Sequence, residues 1–148
     1  MASTTAPTDA NAWEESLIAD LRANGGRPSE GQLAGHPLML LFSIGARSGE
    51  KRRSILTYSR DGDAYVVAGT AGGGPKTPGW IANLTADPDV SIEVANETFD
   101  AMATIAQGAE RDRLWDQHVE QLPWFGDYPA KITNRVIPVV RLTRRANA

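Results

Sequence analysis

The sequence predicts an α+β fold: a small, closed or nearly closed β-barrel of about six mainly antiparallel strands with about three flanking helices. Short apolar or alternating segments follow one another through connections that are too short for a crossover helix. Two further segments have the apolar spacing of helices, and a third has the residues of a helix start at Thr77-Pro78. Because closing a sheet on itself removes its exposed edges, a barrel is the expected arrangement.

Three strands are predicted in the first half of the chain, over Leu38–Ile44, Arg52–Tyr58 and Ala64–Thr70. The connection 45–51 and the connection 59–63, which contains an Asp61-Gly62 turn, are both short. We therefore expect these strands to be neighbours in a meander.

The remaining strands are predicted over Val90–Ala95, Thr98–Ala106 and Val136–Leu142, the first two joined by an Asn96-Glu97 turn. Helices are predicted over Trp13–Asn24, from Pro78 to about Ala86, and over Ala109–Gln121. Thr77 is expected to cap the second helix, with Pro78 at its first position.

The length of 148 residues indicates one domain, which we place at residues 13–148, after a disordered tail over residues 1–12. No apolar run approaches the roughly 20 residues of a membrane span, and the start does not resemble a secretory signal, so a cytoplasmic location is expected. The net charge of -3 gives no reason to expect nucleic-acid binding.

Side chains alone offer no familiar catalytic set. There is no cysteine, which excludes thiolate nucleophiles and cysteine-bound metals. The two histidines, His36 and His118, lack metal-ligand spacing, and several aspartates lie in turns, so no metal site is expected. Chemistry in this chain therefore requires another agent.

The first candidate site is the connection 45–52, Gly-Ala-Arg-Ser-Gly-Glu-Lys-Arg. Five basic residues and one acidic residue between Ala46 and Arg60 give a local charge of +4, which leaves -7 for the rest of the chain. Glycines, the Ser48 hydroxyl and the arginines could together bind an anion. A solvated basic turn explains the composition equally well.

Two more segments are candidates. The run 72–76, Gly-Gly-Gly-Pro-Lys, precedes a helix and suits close approach of a flat or anionic ligand, although a flexible connector is the competing interpretation. The segment 122–129 carries Trp124, Phe125 and Tyr128 between prolines and glycine. These aromatics could plug the barrel or line a site for a planar molecule.

Together, these segments resemble the deazaflavin-dependent nitroreductase family. The similarity is carried by residues 45–52, the strand end 65–70, and the glycine run through Lys76 to Pro78. It continues through Trp80, Asn83-Leu84 and Asp87-Pro88, and then from Ala103 to the Ile137-Pro138-Val139-Val140 strand. It covers most of the chain after Leu38.

The resemblance implies a split β-barrel that binds the deazaflavin coenzyme F-420. The cofactor-binding residues it implies are Arg47, Ser48, Gly49, Lys51, Arg52, Ala68, Gly69, Thr70, Gly72, Gly73, Gly74, Lys76, Trp80 and Asn83. Thr70, Trp124, Phe125 and Tyr128 would line the substrate side, and Tyr128 is a candidate proton donor. Ile55, Gly79 and Leu122 depart from the family pattern, which bears on nitro-compound reduction rather than on cofactor binding.

The implied activity is transfer of a hydride from reduced F-420 to a small electron-poor organic molecule, such as an activated alkene, a quinone or a nitro compound. Two alternatives keep the fold: an FMN-dependent split-barrel reductase or oxidase, and a non-enzymatic deazaflavin carrier. The expected partner is a small-molecule substrate, and the protein is expected to be a monomer or a homodimer.

Overall fold

The computed structural model describes residues 6–29, 35–70, 74 and 76–145, with side chains from residue 13 onward. Its helices are α1 (Ala6–Ala23), α2 (Gly79–Ala86), α3 (Gly108–Gln121) and α4 (Tyr128–Lys131), with a 3-10 helix over Pro123–Asp127 before α4. Its strands are β1 (Leu38–Ile44), β2 (Lys51–Thr57), β3 (Ser59–Asp61), β4 (Ala64–Ala68), β5 (Asp89–Val94), β6 (Glu97–Ile105) and β7 (Val139–Arg144).

The seven strands form one antiparallel sheet in the order β2-β1-β5-β6-β7-β4-β3. Strands β2 and β3 lie at its opposite edges, yet only Tyr58 separates them in the chain. One bent segment therefore pairs with β1 through its first half and with β4 through its second half. The two edges must meet at Tyr58, which confirms the predicted split barrel.

The predicted meander is wrong at one step. Strands β1 and β2 do form a hairpin, but the Asp61-Gly62 turn joins β4 to β3 rather than to β2. The short connection was correctly identified as a tight turn. The chain, however, pairs with β1 before Tyr58 and with β4 after it. The alternation of apolar and polar residues in the sequence does not reveal this change.

Most element boundaries agree with the prediction to within one or two residues, and β1 agrees at both ends. Helix α1 begins at Ala6, upstream of the predicted Trp13. Strand β7 begins at Val139, because Pro138 precedes it and Val136 is 77% exposed. The predicted Thr77 cap is wrong: Pro78 occupies the N-cap, and no side chain caps α2.

The main core lies inside the barrel, where α2 inserts Trp80, Ile81 and Leu84 among inward-facing strand residues such as Met39 and Leu142. Helix α1 packs outside, with Ile18 and Leu21 on Leu38 and Leu40 of β1. Among the described residues, no helix is long and apolar enough to cross a membrane.

Helix α3 is attached to the β3–β4 hairpin by a carboxylate. Asp61 accepts hydrogen bonds from Arg113, Arg141 and Gln117, at 3.0 to 3.3 Å. These donors hold the pKa of Asp61 well below its usual range, with Arg113 the largest cause. Asp61 therefore has a structural role, as its place in a turn suggested.

Candidate functional site

The basic loop 45–50 between β1 and β2 has a defined conformation. Gly45 donates its backbone N–H to the carbonyl of Glu50 at 2.8 Å, and Gly49 donates to the carbonyl of Gly45 at 2.9 Å. Gly49 has a φ of +70°, which favours glycine. A Cβ on Gly45 would lie 2.5 Å from Ser48 Oγ, so a larger residue here would displace the Ser48 side chain.

Arg47, Ser48 and Arg52 line the same open cavity of about 540 Å³. Arg52 donates to Ser48 Oγ at 3.2 Å, and its exposed ion pair with Glu50 is loose, at 3.8 Å. No described carboxylate lies within ion-pair distance of Arg47. The cavity thus holds guanidinium groups that are available to an anionic ligand.

Lys51 is placed differently from the other predicted basic residues. It pairs with Ile44 in the β1–β2 ladder, and its ammonium lies 4.8 Å from the Phe42 ring, among residues that face α1. Side chains alternate across a strand, so Lys51 and Arg52 point to opposite faces of β2. The structure therefore does not bring Lys51 into the cavity.

Asn83 connects the basic loop to helix α2. Its side-chain oxygen accepts a hydrogen bond from the Ala46 amide at 2.9 Å, and its nitrogen lies 3.5 Å from Ser43 Oγ. The residue also lines the cavity, but its oxygen is already bound to the protein. Asn83 accordingly acts by holding the loop in place.

Trp80 is shared by this cavity and a second one of about 410 Å³. The second cavity is lined mainly by apolar and aromatic side chains from α1, β2 and the 3-10 helix, with Thr70 and Glu14 among the polar ones. Trp80 is 8% exposed and anchored in the barrel core. A basic recess, lined by Arg47, Ser48 and Arg52, and an aromatic recess therefore meet at Trp80.

Residues 68–70, at the end of β4 and just after it, reach the second cavity. We call these residues the strand end. Ala68 and Thr70 line it and are nearly buried. Gly69 donates its N–H to the Pro138 carbonyl at 2.8 Å, and a Cβ there would lie 3.0 Å from Pro138 Cγ. Of the predicted glycine run, Gly72 and Gly73 lie outside the described residues, whereas Lys76 is exposed and lines neither cavity.

The aromatic segment predicted from sequence forms one wall of the second cavity, through Trp124, Phe125 and Tyr128. Phe125 is buried and lies 5.5 Å from the Trp124 ring and 5.3 Å from the Tyr128 ring. Trp124 also contacts the His36 ring, at 4.5 Å between centroids. Packing against one another restricts these rings, so they offer a preformed surface to a planar molecule.

His118 supports this wall from behind. Its imidazole is fully buried, shares a 2.7 Å hydrogen bond with Ser59 Oγ and packs against Phe125 at 4.4 Å. Burial lowers the pKa of His118 to about 4, so the ring is neutral near pH 7. Its Nε2 has no hydrogen-bond partner among the described residues.

The chemistry of the two recesses suits an elongated ligand with an anionic end and a flat aromatic end. The guanidinium groups of Arg47 and Arg52 are present at one end, and aromatic side chains at the other. Gly79 stands beside Trp80 in the basic recess, where a Cβ would meet no atom within 4 Å. Space for a ligand is therefore open along the start of α2.

The sequence profile of the F-420H(2)-dependent quinone reductase family matches residues 15–144. The chain belongs to this family. An F-420H(2)-dependent quinone reductase of Mycobacterium tuberculosis H37Rv is 42% identical to it over 112 residues, which is 74% of this chain and 74% of that protein. The family assignment confirms the prediction of an F-420-dependent reductase and decides for F-420 over FMN.

Two solved structures extend the comparison. The F-420-H2-dependent reductase FDR-A is 34% identical, with a TM-score of 0.65, over 72% of this chain and 93% of that one. A domain-swapped dimer is 30% identical, with a TM-score of 0.67, over 93% and 99% of the two chains. A heme storage protein of Vibrio cholerae, HutZ, is 19% identical, with a TM-score of 0.55, over 90% and 91% of the chains, and shares the fold only.

For this quinone reductase family member, the structure also presents site residues that sequence reasoning missed. Ser54 lines the basic recess, and Trp13 and Leu17 of α1 line the aromatic recess. Strand alternation from Arg52 could have identified Ser54. Arg135, which binds the carbonyls of Gly69, Thr70 and Gly74, gave no signal because it lies in an irregular segment.

Proposed function

We propose that this protein reduces a quinone with a hydride from reduced coenzyme F-420, using the two recesses on either side of Trp80 as one continuous site. The observation that carries the proposal is the shared Trp80 wall, which sets a basic recess against an aromatic one. The family assignment supplies the cofactor class.

The basic recess would hold the anionic part of the cofactor. Phosphate and carboxylate oxygens match the donors that Arg47, Ser48 and Arg52 offer. Asn83 keeps the loop against α2, so these donors are positioned before the ligand arrives. Lys51 has no direct part, because it lies on the other face of β2.

The aromatic recess would hold the flat ring of the cofactor and the substrate. Ala68 and Thr70 give the ring a close approach to the barrel end, and Trp124, Phe125 and Tyr128 face the same space. The mainly apolar and aromatic walls favour stacking of the cofactor ring and the quinone, which aligns them for direct transfer. Reduced F-420, when bound, supplies the hydride.

Reduction of a quinone to a quinol consumes one hydride and one proton. We propose that the Tyr128 hydroxyl donates this proton to a quinone oxygen, since it is a hydroxyl-bearing side chain of the aromatic recess. Solvent then reprotonates the tyrosine, which is half-buried rather than sealed. The protein's other contribution is to position the cofactor and the quinone relative to each other.

A titration and a turnover assay test the proposal. The purified protein should quench F-420 fluorescence saturably and bind FMN far more weakly. Reduced F-420 should then be reoxidised with menadione faster than with cyclohexenone or a nitroaromatic compound. Binding of F-420 with no acceptor reduced would instead identify a carrier, and preferential FMN binding would overturn the cofactor assignment.

A further inference from the structure

Arg135 binds backbone carbonyls at and beyond the end of β4 from a position outside both recesses. We call this set of hydrogen bonds the Arg135 clamp. Arg135 donates through Nη1 to the carbonyl of Gly69 at 2.9 Å, and through Nη2 to the carbonyls of Thr70 and Gly74 at 3.2 and 3.1 Å. Three carbonyls from separate residues therefore converge on one guanidinium. Arg135 itself lines neither recess.

We infer that Arg135 is a positioning residue for the reductase reaction: it fixes the backbone of Gly69, Thr70 and Gly74 in the conformation that receives the deazaflavin ring. The inference rests on the proposed function, because it concerns the cofactor end of the same site.

The hydrogen-bond geometry distinguishes Arg135 from a surface cation. Its guanidinium is partly buried, and its Nε is fully buried without a partner among the described residues. Burying a donor without an acceptor is unfavourable, so the bonds made by the two Nη groups must outweigh that cost. Lysine could not replace them, since it lacks the planar fork that reaches several carbonyls together.

The segment that carries Arg135 is itself held firmly. The Pro138 carbonyl accepts the Gly69 N–H at 2.8 Å, and Arg111 of α3 donates twice to the Ile137 carbonyl, at 2.9 and 3.3 Å. Gly69 is therefore bound twice to segment 135–138: its N–H donates to Pro138, and its carbonyl accepts from Arg135. Helix α3, the segment and the strand end form one connected backbone support.

The consequence for the site follows from Thr70. Thr70 lines the aromatic recess, and its carbonyl is bound by Arg135. Glycine-rich backbone samples many conformations when unrestrained, and a ligand that orders it loses affinity in proportion. By restricting this backbone beforehand, Arg135 favours both cofactor binding and the alignment required for hydride transfer.

Hydrogen exchange on the cofactor-free protein tests the clamp independently of activity. In Arg135→Ala, amides in peptides containing Thr70 and Gly74 should exchange about tenfold faster than in the wild type. Arg111→Ala is the comparison variant, because it removes two hydrogen bonds to the same segment but none to the strand end. It should lower the melting temperature and change exchange in those peptides by much less than Arg135→Ala.

Cofactor measurements complete the test. We expect the F-420 dissociation constant of Arg135→Ala to rise about tenfold and kcat to fall, with the quinone KM within about twofold of wild type. Arg135→Lys should be intermediate in F-420 affinity and keep the fold, and added guanidinium ion should partly restore the F-420 affinity of Arg135→Ala.

Wild-type amide exchange and wild-type F-420 affinity in both Arg135 variants would overturn the inference. Failure of the wild type to bind F-420 would overturn the proposed function instead, while the exchange result would still decide whether the clamp exists.

Discussion

The Asn83 side-chain oxygen accepts a hydrogen bond from the Ala46 amide at 2.9 Å, which joins helix α2 to the basic loop. This contact links the two elements that bear Trp80 and Arg47. The contact therefore helps to set the position of the basic loop relative to Trp80.

Replacing Asn83 tests that dependence. Asn83→Ala should destabilise the fold by about 1 kcal/mol and weaken F-420 binding, because the Ala46 amide loses its acceptor. Asn83→Asp keeps an acceptor oxygen but adds negative charge beside the anion site, so it should preserve stability while still weakening binding. Denaturant unfolding and fluorescence titration measure the two effects. Equal F-420 affinity in all three proteins would refute the role assigned to Asn83.

The two cavity arginines should govern cofactor affinity. Arg47→Ala and Arg52→Ala are each expected to raise the F-420 dissociation constant roughly tenfold, because each loses charge-assisted hydrogen bonds to an anion. Affinity should also decline as salt increases. The test is an F-420 titration at two ionic strengths.

Lys51 provides the matched control for the arginines. It is adjacent to Arg52 in sequence and equally charged, but its side chain lies beside Phe42 on the opposite face of β2. Lys51→Ala should therefore change F-420 affinity by less than about twofold. A loss comparable to that of Arg52→Ala would mean that general positive charge, rather than geometry, attracts the cofactor.

Tyr128→Phe tests proton donation. The substitution keeps the ring that packs 5.3 Å from Phe125 and removes only the hydroxyl. If the hydroxyl donates the proton, steady-state kcat with menadione should fall by about 10²-fold or more, with little change in F-420 affinity. Phe125→Leu, which disturbs the wall but leaves the hydroxyl, should affect the menadione KM more than kcat. Unchanged turnover in Tyr128→Phe would assign proton delivery to solvent.

Acidification should destabilise the protein through His118. Because burial lowers its pKa from 6.5 to about 4, the unfolded state binds a proton more readily between these values. The stabilisation is fully present above pH 6.5 and is lost progressively as pH falls toward 4, with a total on the order of 3 kcal/mol. His118→Gln should flatten this part of the stability–pH curve, measured by urea unfolding. A curve as steep as that of the wild type would exclude His118 as its source.

Local sequence features predicted the local parts of the fold. The apolar run of β1 predicts a buried strand, and the composition of the basic loop predicts a turn. Both predictions depend on only a few neighbouring residues. The pairing of β3 at the far edge of the sheet is not local: it depends on closure of the whole barrel at Tyr58. Single-sequence patterns do not specify which edge a short strand joins.

The site residues show the same division. Arg47 and Arg52 could be predicted from charge, and the separation of Lys51 from them follows from strand alternation once the limits of β2 are known. Arg135 could not be predicted, because its partners are more than 60 residues away and are backbone carbonyls, which leave no mark on sequence. Asn83 was predicted from the resemblance as a cofactor contact, which stays a prediction, and its hydrogen bond to the basic loop could not be predicted from sequence.

Trp80 also limits how enzymes of this architecture can diversify. A change at Trp80 alters the basic recess and the aromatic recess together, so under the proposed function selection for a new acceptor would be opposed by weaker binding of the hydride donor. Trp124, Phe125 and Tyr128 line the aromatic recess and not the basic one. Under the proposed function, new substrate preferences can arise there while the basic residues that would hold the anionic part of the cofactor are inherited unchanged.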